Sequence, residues 1–257
     1  YRHPTFYEVP DGVKFICFIR MTQQEALFEY CLRLGDNGLI LGHRLSEWCG
    51  HGPILEEDIA LTNIALDLIG QCRMALSYAG TVEGKNRSED DLAYLRDVYE
   101  FRNVLLVEQP NGHYGDTITR QFLFDAFNFA LHQRLQFSSD EHIVAYARKA
   151  IKEITYHARH SSEWMIRLGD GTEESHNKVQ ESPNALWEYP GEMFETDDVD
   201  QLMGDAGVRV VLQFVKQLCA HSDGTVLAEA LLPQPADGWM QSGGKKGTHS
   251  QKLGFVL

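Results

Sequence analysis

Hydrophobic residues along the chain recur with the spacing of helical turns, and clusters of glycine, proline and asparagine interrupt this pattern. The pattern predicts long helices over residues 22–48, 54–79, 116–137 and 140–168, and shorter ones over 90–106, 172–185, 197–206 and 208–221. No alternation typical of strands is found. Turns near Gly52 and Ser139 join the long helices, each about 30 to 45 Å long, into two antiparallel hairpins. We therefore predict an all-α fold, a four-helix bundle with additional C-terminal helices.

The second long helix is apolar almost all round, which predicts a central helix buried on every side. Its polar residues Asn63, Asp67 and Gln71 recur at i, i+4 and i+8, and therefore form one narrow stripe. A polar stripe on a buried helix needs partners on the neighbouring helices, because an unpaired polar group is costly to bury.

Acidic residues of the four long helices are predicted to lie at one level of the bundle. Residues equally distant from the turn of an antiparallel hairpin lie side by side, which places Asp36 beside Asp67 and Asp125 beside Glu153 and His157. We call these five residues the polar layer.

The polar layer has the layout of a ferritin-like di-metal site, in which two helices each give a carboxylate and the other two each give a Glu-x-x-His pair. The sequence lacks these pairs, because Gly70 stands three residues after Asp67 and Ile154 stands three residues before His157. We interpret the chain as a ferritin-like scaffold whose metal site has been lost, and we expect no metal in it. A di-iron site and a single-metal site remain alternatives. The expected partners of the buried acids are Arg33, Arg44, Lys152 and the histidines.

Composition narrows the classes of function. With 23 Lys plus Arg against 37 Asp plus Glu, the net charge of −14 would repel nucleic acid and anionic membranes. The most apolar stretch, residues 54–76, is interrupted by acidic and amide side chains, so no membrane span is expected. The five cysteines are widely spread without a Cys-x-x-Cys motif, which indicates neither a disulfide framework nor a thiolate zinc site. We expect a cytoplasmic protein.

Six stretches carry a family resemblance: RLGDN (33–37), LSEWCGH (45–51), NIALDLIGQ (63–71), LLVEQPNG (105–112), KEITYH (152–157) and GGKKG (243–247). They resemble the C subunit of bacterial 1,2-phenylacetyl-CoA epoxidase, a ring-hydroxylating phenylacetate-CoA oxygenase. The resemblance covers a ferritin-like helical domain over residues 21–257. Residues 1–13 instead resemble the C-terminal tail of the B subunit of the same complex. We therefore interpret residues 1–20 as an appended segment that arises by read-through from that tail.

The resemblance implies a non-catalytic structural subunit in aerobic phenylacetate catabolism. In this family the related A subunit holds the di-iron centre that epoxidises the ring of phenylacetyl-CoA with O2. The C subunit pairs with it, stabilises it and helps to shape the site for the CoA thioester. Further partners that the resemblance leaves open are a second copy of the chain, in a homodimer, and the B subunit. The alternatives are a di-iron oxygenase in its own right, with the polar layer as ligands, and an independent small-molecule binding bundle.

The resemblance also implies contacts to the CoA thioester. The implied residues are Glu100, Phe101, Arg102, Asn103, Gln201, Leu202 and Met203. Arg102 could pair with a phosphate and Phe101 could stack on an adenine, but a solvated short helix with one core aromatic fits the same pattern. For Lys245 and Lys246, contact with a phosphate or a partner chain competes with a plain mobile basic loop.

Overall fold

The computed structural model describes residues 21–204, 226–230, 232 and 238–257 in full, and residues 5–8 and 14–17 by their backbone. The strands and helices are β1 (Thr5–Glu8), β2 (Lys14–Cys17), α1 (Gln23–Ser46), α2 (Leu55–Glu83), α3 (Glu89–Tyr94), α4 (Tyr114–Leu135), α5 (Glu141–Gly169), α6 (Glu173–Leu186) and α7 (Asp198–Gly204). Single 3-10 turns cover Val98–Glu100, Pro190–Phe194, Gly244–Lys246 and Leu253–Phe255.

The all-α prediction is confirmed, because the four long helices α1, α2, α4 and α5 form two antiparallel hairpins. Two details of the prediction are wrong. Residues 101–106, the last part of the helix predicted over 90–106, are not helical, and β1 and β2 pair in an antiparallel hairpin where no strand was expected. The predicted helix over residues 208–221 lies outside the described residues.

Local signals in the sequence begin and end the helices. The Thr22 hydroxyl accepts the main-chain amide of Glu25, whose carboxylate accepts the amide of Thr22, so α1 begins with a capping box. Asp140 caps α5 by accepting two main-chain amides of its first turn. Gly84 ends α2 with a φ of 71°, a left-handed conformation that glycine adopts without strain.

Helices α1 and α2 approach each other closely at glycines of α1. A Cβ added at Gly38 would lie 2.9 Å from the carbonyl oxygen of Leu68, and one at Gly35 would lie 2.6 Å from Leu76 Cδ2. A larger residue at Gly38 would push the two backbones apart, whereas one at Gly35 would have to displace the Leu76 side chain, so Gly38 limits the spacing at which the first hairpin packs.

Helix α2 is not buried on every side, contrary to the prediction. Leu55, Ile59 and Leu66 are 72%, 52% and 62% exposed, while the opposite side of α2 packs against α1 and α5. Length and a mean hydropathy of 1.2 would let α2 cross a membrane, but core helices of soluble proteins meet the same criteria. Apolar residues on every side of a helix can be buried against another chain as well as against the helix's own chain. The outer side of α2 is an uncovered apolar surface.

Candidate functional site

Asp36 of the polar layer lies in the middle of α1 and is fully buried. The Arg96 guanidinium donates to both of its carboxylate oxygens, with 3.0 Å between Nη1 and Oδ2, and the main-chain amide of Arg102 donates to Oδ2 at 2.7 Å. Arg96 is also buried, and its guanidinium lies 4.2 Å from the centroid of the Phe101 ring. An arginine of the same chain therefore balances the charge of Asp36.

The cationic partners expected for the buried acids do not serve Asp36. Arg33 pairs with Asp197 at 2.6 Å, Arg44 donates to the main-chain carbonyl of residue 108, and Lys152 is exposed. Arg96 escaped the prediction because it lies just after α3, in the connection between the two hairpins. Counting along hairpins gives no information about such a residue.

The structure brings three members of the polar layer together where α2 meets α5. His157 Nε2 donates to Asp67 Oδ2 at 3.1 Å, and Gln71 Nε2 donates to Glu153 Oε2 at 2.9 Å. His157 is fully buried, but the Asp67 side chain is 35% exposed. These residues therefore form a seam between two helices that reaches the surface, and the expected histidine partner is confirmed for Asp67.

Asp125, the member on α4, is buried among neutral hydrogen-bond donors. Gln121 Nε2 donates to its Oδ1 and Ser161 Oγ donates to its Oδ2, both at 2.8 Å. Burial raises the pKa of Asp125 to about 6, although the charge of His157 and the two hydrogen bonds oppose the increase. Asp125 therefore has a pKa far above that of an exposed aspartate.

These residues do not fit a carboxylate-bridged di-metal centre. The carboxylate of Asp36 is paired with the Arg96 guanidinium, and that of Asp67 is paired with the His157 imidazole. The carboxylate of Asp125 accepts hydrogen bonds from a side-chain amide and a hydroxyl. Within the described part of the chain, no three His, Cys, Asp or Glu side chains lie close enough together to hold a metal ion.

A second acid–histidine pair joins α2 to α5, and the sequence pattern did not reveal it. His160 Nε2 donates to Glu57 Oε2 at 2.9 Å, and the Tyr114 hydroxyl donates to the same oxygen at 2.6 Å. Glu57 lies in the first turn of α2, where an acidic residue is ordinarily explained by the helix dipole alone. Its burial and its contacts with two other helices give it a structural role.

The residues implied to contact the CoA thioester differ in accessibility. Glu100 and Gln201 are exposed, Arg102 and Leu202 are partly buried, and Phe101, Asn103 and Met203 are buried. One face of the Phe101 ring is covered by Arg96, so stacking on an adenine would require Phe101 to leave the core. The Arg102 guanidinium is engaged by Glu29 at 2.7 Å. Their role in binding stays a prediction.

The two stretches that contain these residues meet at the glycine-flanked loop of residues 243–247. Lys245 Nζ donates to Asp200 Oδ2 at 2.8 Å, and so joins the loop to α7. Gly247 packs so closely on the main-chain carbonyl of Tyr99 that a Cβ there would overlap it. Lys245 is therefore tied down, contrary to the mobile-loop interpretation, whereas Lys246 is exposed.

The sequence model of the family described as phenylacetic acid catabolic protein matches residues 19–257. The chain belongs to this family. An Escherichia coli (strain K12) relative, named as the C subunit of 1,2-phenylacetyl-CoA epoxidase, is 46% identical over 231 residues, which cover 90% of this chain and 93% of that relative. The resemblance inferred from the six motifs is thus confirmed, and the ferritin-like fold of the family agrees with the four long helices.

The match to the phenylacetic acid catabolic protein family begins at residue 19. The division into an appended segment over residues 1–20 and a helical domain over residues 21–257, and the origin of the former by read-through, stay predictions.

Two buried glutamates of this family member were not predicted from the sequence. The first, Glu192, accepts three main-chain amides: those of Gly243 at 2.8 Å and Lys245 at 3.1 Å on one oxygen, and that of Leu105 at 2.9 Å on the other. It thereby fastens the 243–247 loop to the connection between the hairpins.

The second, Glu108, accepts from His249 Nδ1 at 3.2 Å and from the main-chain amide of Ser250 at 2.9 Å. The other ring nitrogen of His249 lies 3.0 Å from the main-chain carbonyl of Phe101, so each ring nitrogen is within hydrogen-bond distance of an acceptor. Burial raises the pKa of Glu108, but the hydrogen bonds from His249 and Ser250 prevail and lower it below its ordinary value. The sequence signal that could have revealed this site is the position of Glu108 directly after the apolar run of residues 104–107, because a carboxylate buried with such a run needs hydrogen-bond partners.

Proposed function

We propose that the chain is a non-catalytic structural subunit of a 1,2-phenylacetyl-CoA epoxidase in aerobic phenylacetate catabolism in the cytoplasm. It pairs with the di-iron catalytic A subunit, stabilises it and helps to shape the CoA-thioester site. Identity of 46% across 93% of a relative named as the C subunit supports the assignment to such an assembly. The observation that carries the non-catalytic role is the Asp36–Arg96 pair, because a guanidinium occupies the carboxylate that a di-metal site would need as a ligand.

Iron content tests the non-catalytic role. The chain is expressed alone with iron supplied, and iron per chain is measured by elemental analysis, with the A subunit of the epoxidase as the positive reference. We expect a value near zero for this chain, and the same value for an Arg96→Met variant, since the Glu-x-x-His pairs are missing in both. About two irons per chain would overturn the proposal and favour an oxygenase in its own right.

The exposed apolar side of α2 is the surface that we assign to pairing with the A subunit. Leu55, Ile59 and Leu66 form a ridge along one helix, and apolar ridges of this kind are typical of permanent interfaces between subunits. We expect Leu66→Glu to abolish co-purification with the A subunit while its circular dichroism stays unchanged. The matched control is Leu95→Glu, which alters a leucine that is 76% exposed outside α2 and should leave pairing intact.

Loss of pairing in both variants, or in neither, would contradict this assignment. Size-exclusion chromatography of the isolated chain over a range of concentrations distinguishes a homodimer that uses the same surface. In that case Leu66→Glu would also convert the dimer to a monomer.

Steady-state kinetics of the complete epoxidase test the CoA-thioester contacts. Glu100→Gln and Gln201→Ala change exposed residues on either side of the 243–247 loop. Because both changes remove contacts to the ground state and the transition state alike, we expect an increased KM for phenylacetyl-CoA with kcat unchanged. The control is Lys178→Ala, an exposed residue on α6. An unchanged KM in both test variants would remove this surface from the substrate site.

A further inference from the structure

A cavity of about 240 Å³ lies between α1, α2 and the first turns of α5. Its residues belong neither to the polar layer nor to the region around the 243–247 loop, so the proposed function leaves it unused. An apolar cavity of about 150 Å³ is enough to hold benzene. This one has room for an aromatic ring and a small substituent.

The inner walls of the cavity are apolar. Leu34 and Cys31 of α1, Ala75 of α2 and Ile143 of α5 line it and are buried. Burial raises the pKa of the Cys31 thiol, which therefore stays uncharged at neutral pH. A side wall consists of the Tyr78 ring, which is stacked on His142 with 4.4 Å between centroids. These walls favour a flat apolar group over a polar one.

Besides the ring of His142, two polar groups on α5 line this apolar space. Tyr146 lines the cavity and is 8% exposed, and its hydroxyl makes no hydrogen bond to any described residue. Lys149 also lines the cavity, is exposed at its mouth, and has no ion-pair partner among the described residues. Because the two residues are three apart on a helix, their side chains lie on the same face. A ligand could therefore meet both with a single anionic group.

The rim of the cavity is otherwise fixed by internal contacts. The Tyr78 hydroxyl donates to Asp140 Oδ2 at 2.6 Å, which leaves that hydroxyl committed within the protein. The ammonium of Lys149 and the hydroxyl of Tyr146 therefore remain free to donate, and because the ammonium cannot accept a hydrogen bond, the group that can bind to both is an anion.

We propose that this cavity binds a small aromatic monocarboxylate. Its ring lies between the apolar walls of α1 and α2 and beside Tyr78, and its carboxylate accepts from Lys149 Nζ and the Tyr146 hydroxyl at the mouth. The cavity volume limits the ligand to a single ring, and Lys149 is the only lysine or arginine among the described lining residues, which favours a ligand with one negative charge.

Binding is measured on the full chain by 19F NMR titration with 4-fluorobenzoate. We expect saturable binding with a Kd of about 0.1 to 5 mM, the range suited to a ligand of this size. Lys149→Met should weaken binding about tenfold or more, and Tyr146→Phe about three- to tenfold, because each removes one hydrogen bond to the carboxylate. Lys152→Met, which changes an exposed lysine of α5 outside the cavity, should leave the Kd unchanged.

Two further measurements separate a built site from weak surface binding. Ala75→Leu, which fills the buried wall, should abolish binding, and 4-fluorobenzyl alcohol should bind more weakly than 4-fluorobenzoate and be insensitive to Lys149→Met. The proposal is overturned by no saturable binding below about 20 mM, or by equal affinity for the acid and the alcohol. It also fails if Lys149→Met and Lys152→Met have equal effects, a comparison that stands even where Ala75→Leu does not fold.

Discussion

The buried pair of Asp36 and Arg96 offers the sharpest test of how the bundle is stabilised. We consider three variants: Arg96→Met, Asp36→Leu and the double variant that combines them. The Asp36 side chain is fully buried and that of Arg96 is 2% exposed, so neither charge can be hydrated when its partner is removed. The double variant replaces a charged pair by an apolar pair of comparable volume.

The structure sets the magnitude. Arg96→Met leaves Asp36 with the main-chain amide of Arg102 as its remaining donor and also removes the contact with the Phe101 ring. Breaking a buried pair in this way costs about 3 to 5 kcal/mol of unfolding free energy. The double variant has no uncompensated charge, and its main penalty is the Arg102 amide left without an acceptor, about 1 to 3 kcal/mol.

Urea unfolding followed by circular dichroism measures these free energies, with a double-mutant cycle to extract the coupling. Arg73→Met is the control, because Arg73 forms a pair with Glu89 on the surface and should change stability by less than about 1 kcal/mol. We expect the double variant to be more stable than Arg96→Met alone. Strictly additive effects, or a loss below about 1 kcal/mol in Arg96→Met, would refute the view that this pair balances a buried charge.

Three more predictions follow from single sites. The raised pKa of Asp125, about 6, means that the folded state keeps its proton to higher pH than the unfolded chain, so stability falls as pH rises from about 4 to 6. Asp125→Asn should remove about 3 kcal/mol of that decrease in urea unfolding across this range, and an unchanged slope would contradict the assignment. Glu108→Gln should speed amide exchange in residues 243–257 about tenfold or more by hydrogen-exchange mass spectrometry, with no change in α4. Gly38→Ala should lower the free energy of unfolding by about 1 to 3 kcal/mol, because the added methyl group would lie too close to the backbone of α2. Gly70→Ala, which has open space around it, should raise the free energy of unfolding by about 0.5 to 1 kcal/mol. Equal melting temperatures of the two variants would refute the packing argument.

Much of the fold could be predicted because helices carry their signals locally. Thr22 and Asp140 mark helix starts, and the spacing of apolar residues marks helix length. Register counting within each antiparallel hairpin also placed Asp67 and His157 at one level of the bundle, although it did not predict that these two residues pair across the two hairpins. These inferences need no knowledge of how distant segments meet.

The remaining features depend on contacts between segments far apart in sequence. Arg96 lies in the connection between the two predicted hairpins, where register counting does not apply, and nothing nearby indicates that its partner is on α1. The outer side of α2 could not be recognised as exposed, because a leucine has the same sequence pattern whether it faces its own core or another chain. Likewise, Glu192 binds main-chain amides, which carry no sequence signal at all.

The segment of residues 243–257 lies across the connection that joins the two hairpins, fastened there by Glu108 and Glu192. During synthesis this segment leaves the ribosome after the two hairpins and the connection that it contacts. Both hairpins can form from local contacts while translation continues, but the join between them cannot be locked until those residues emerge. Nascent chains stalled before residue 243 should therefore contain helical hairpins whose connection is readily cleaved by protease. Nascent chains in which residues 243–257 have emerged should be protected from cleavage there.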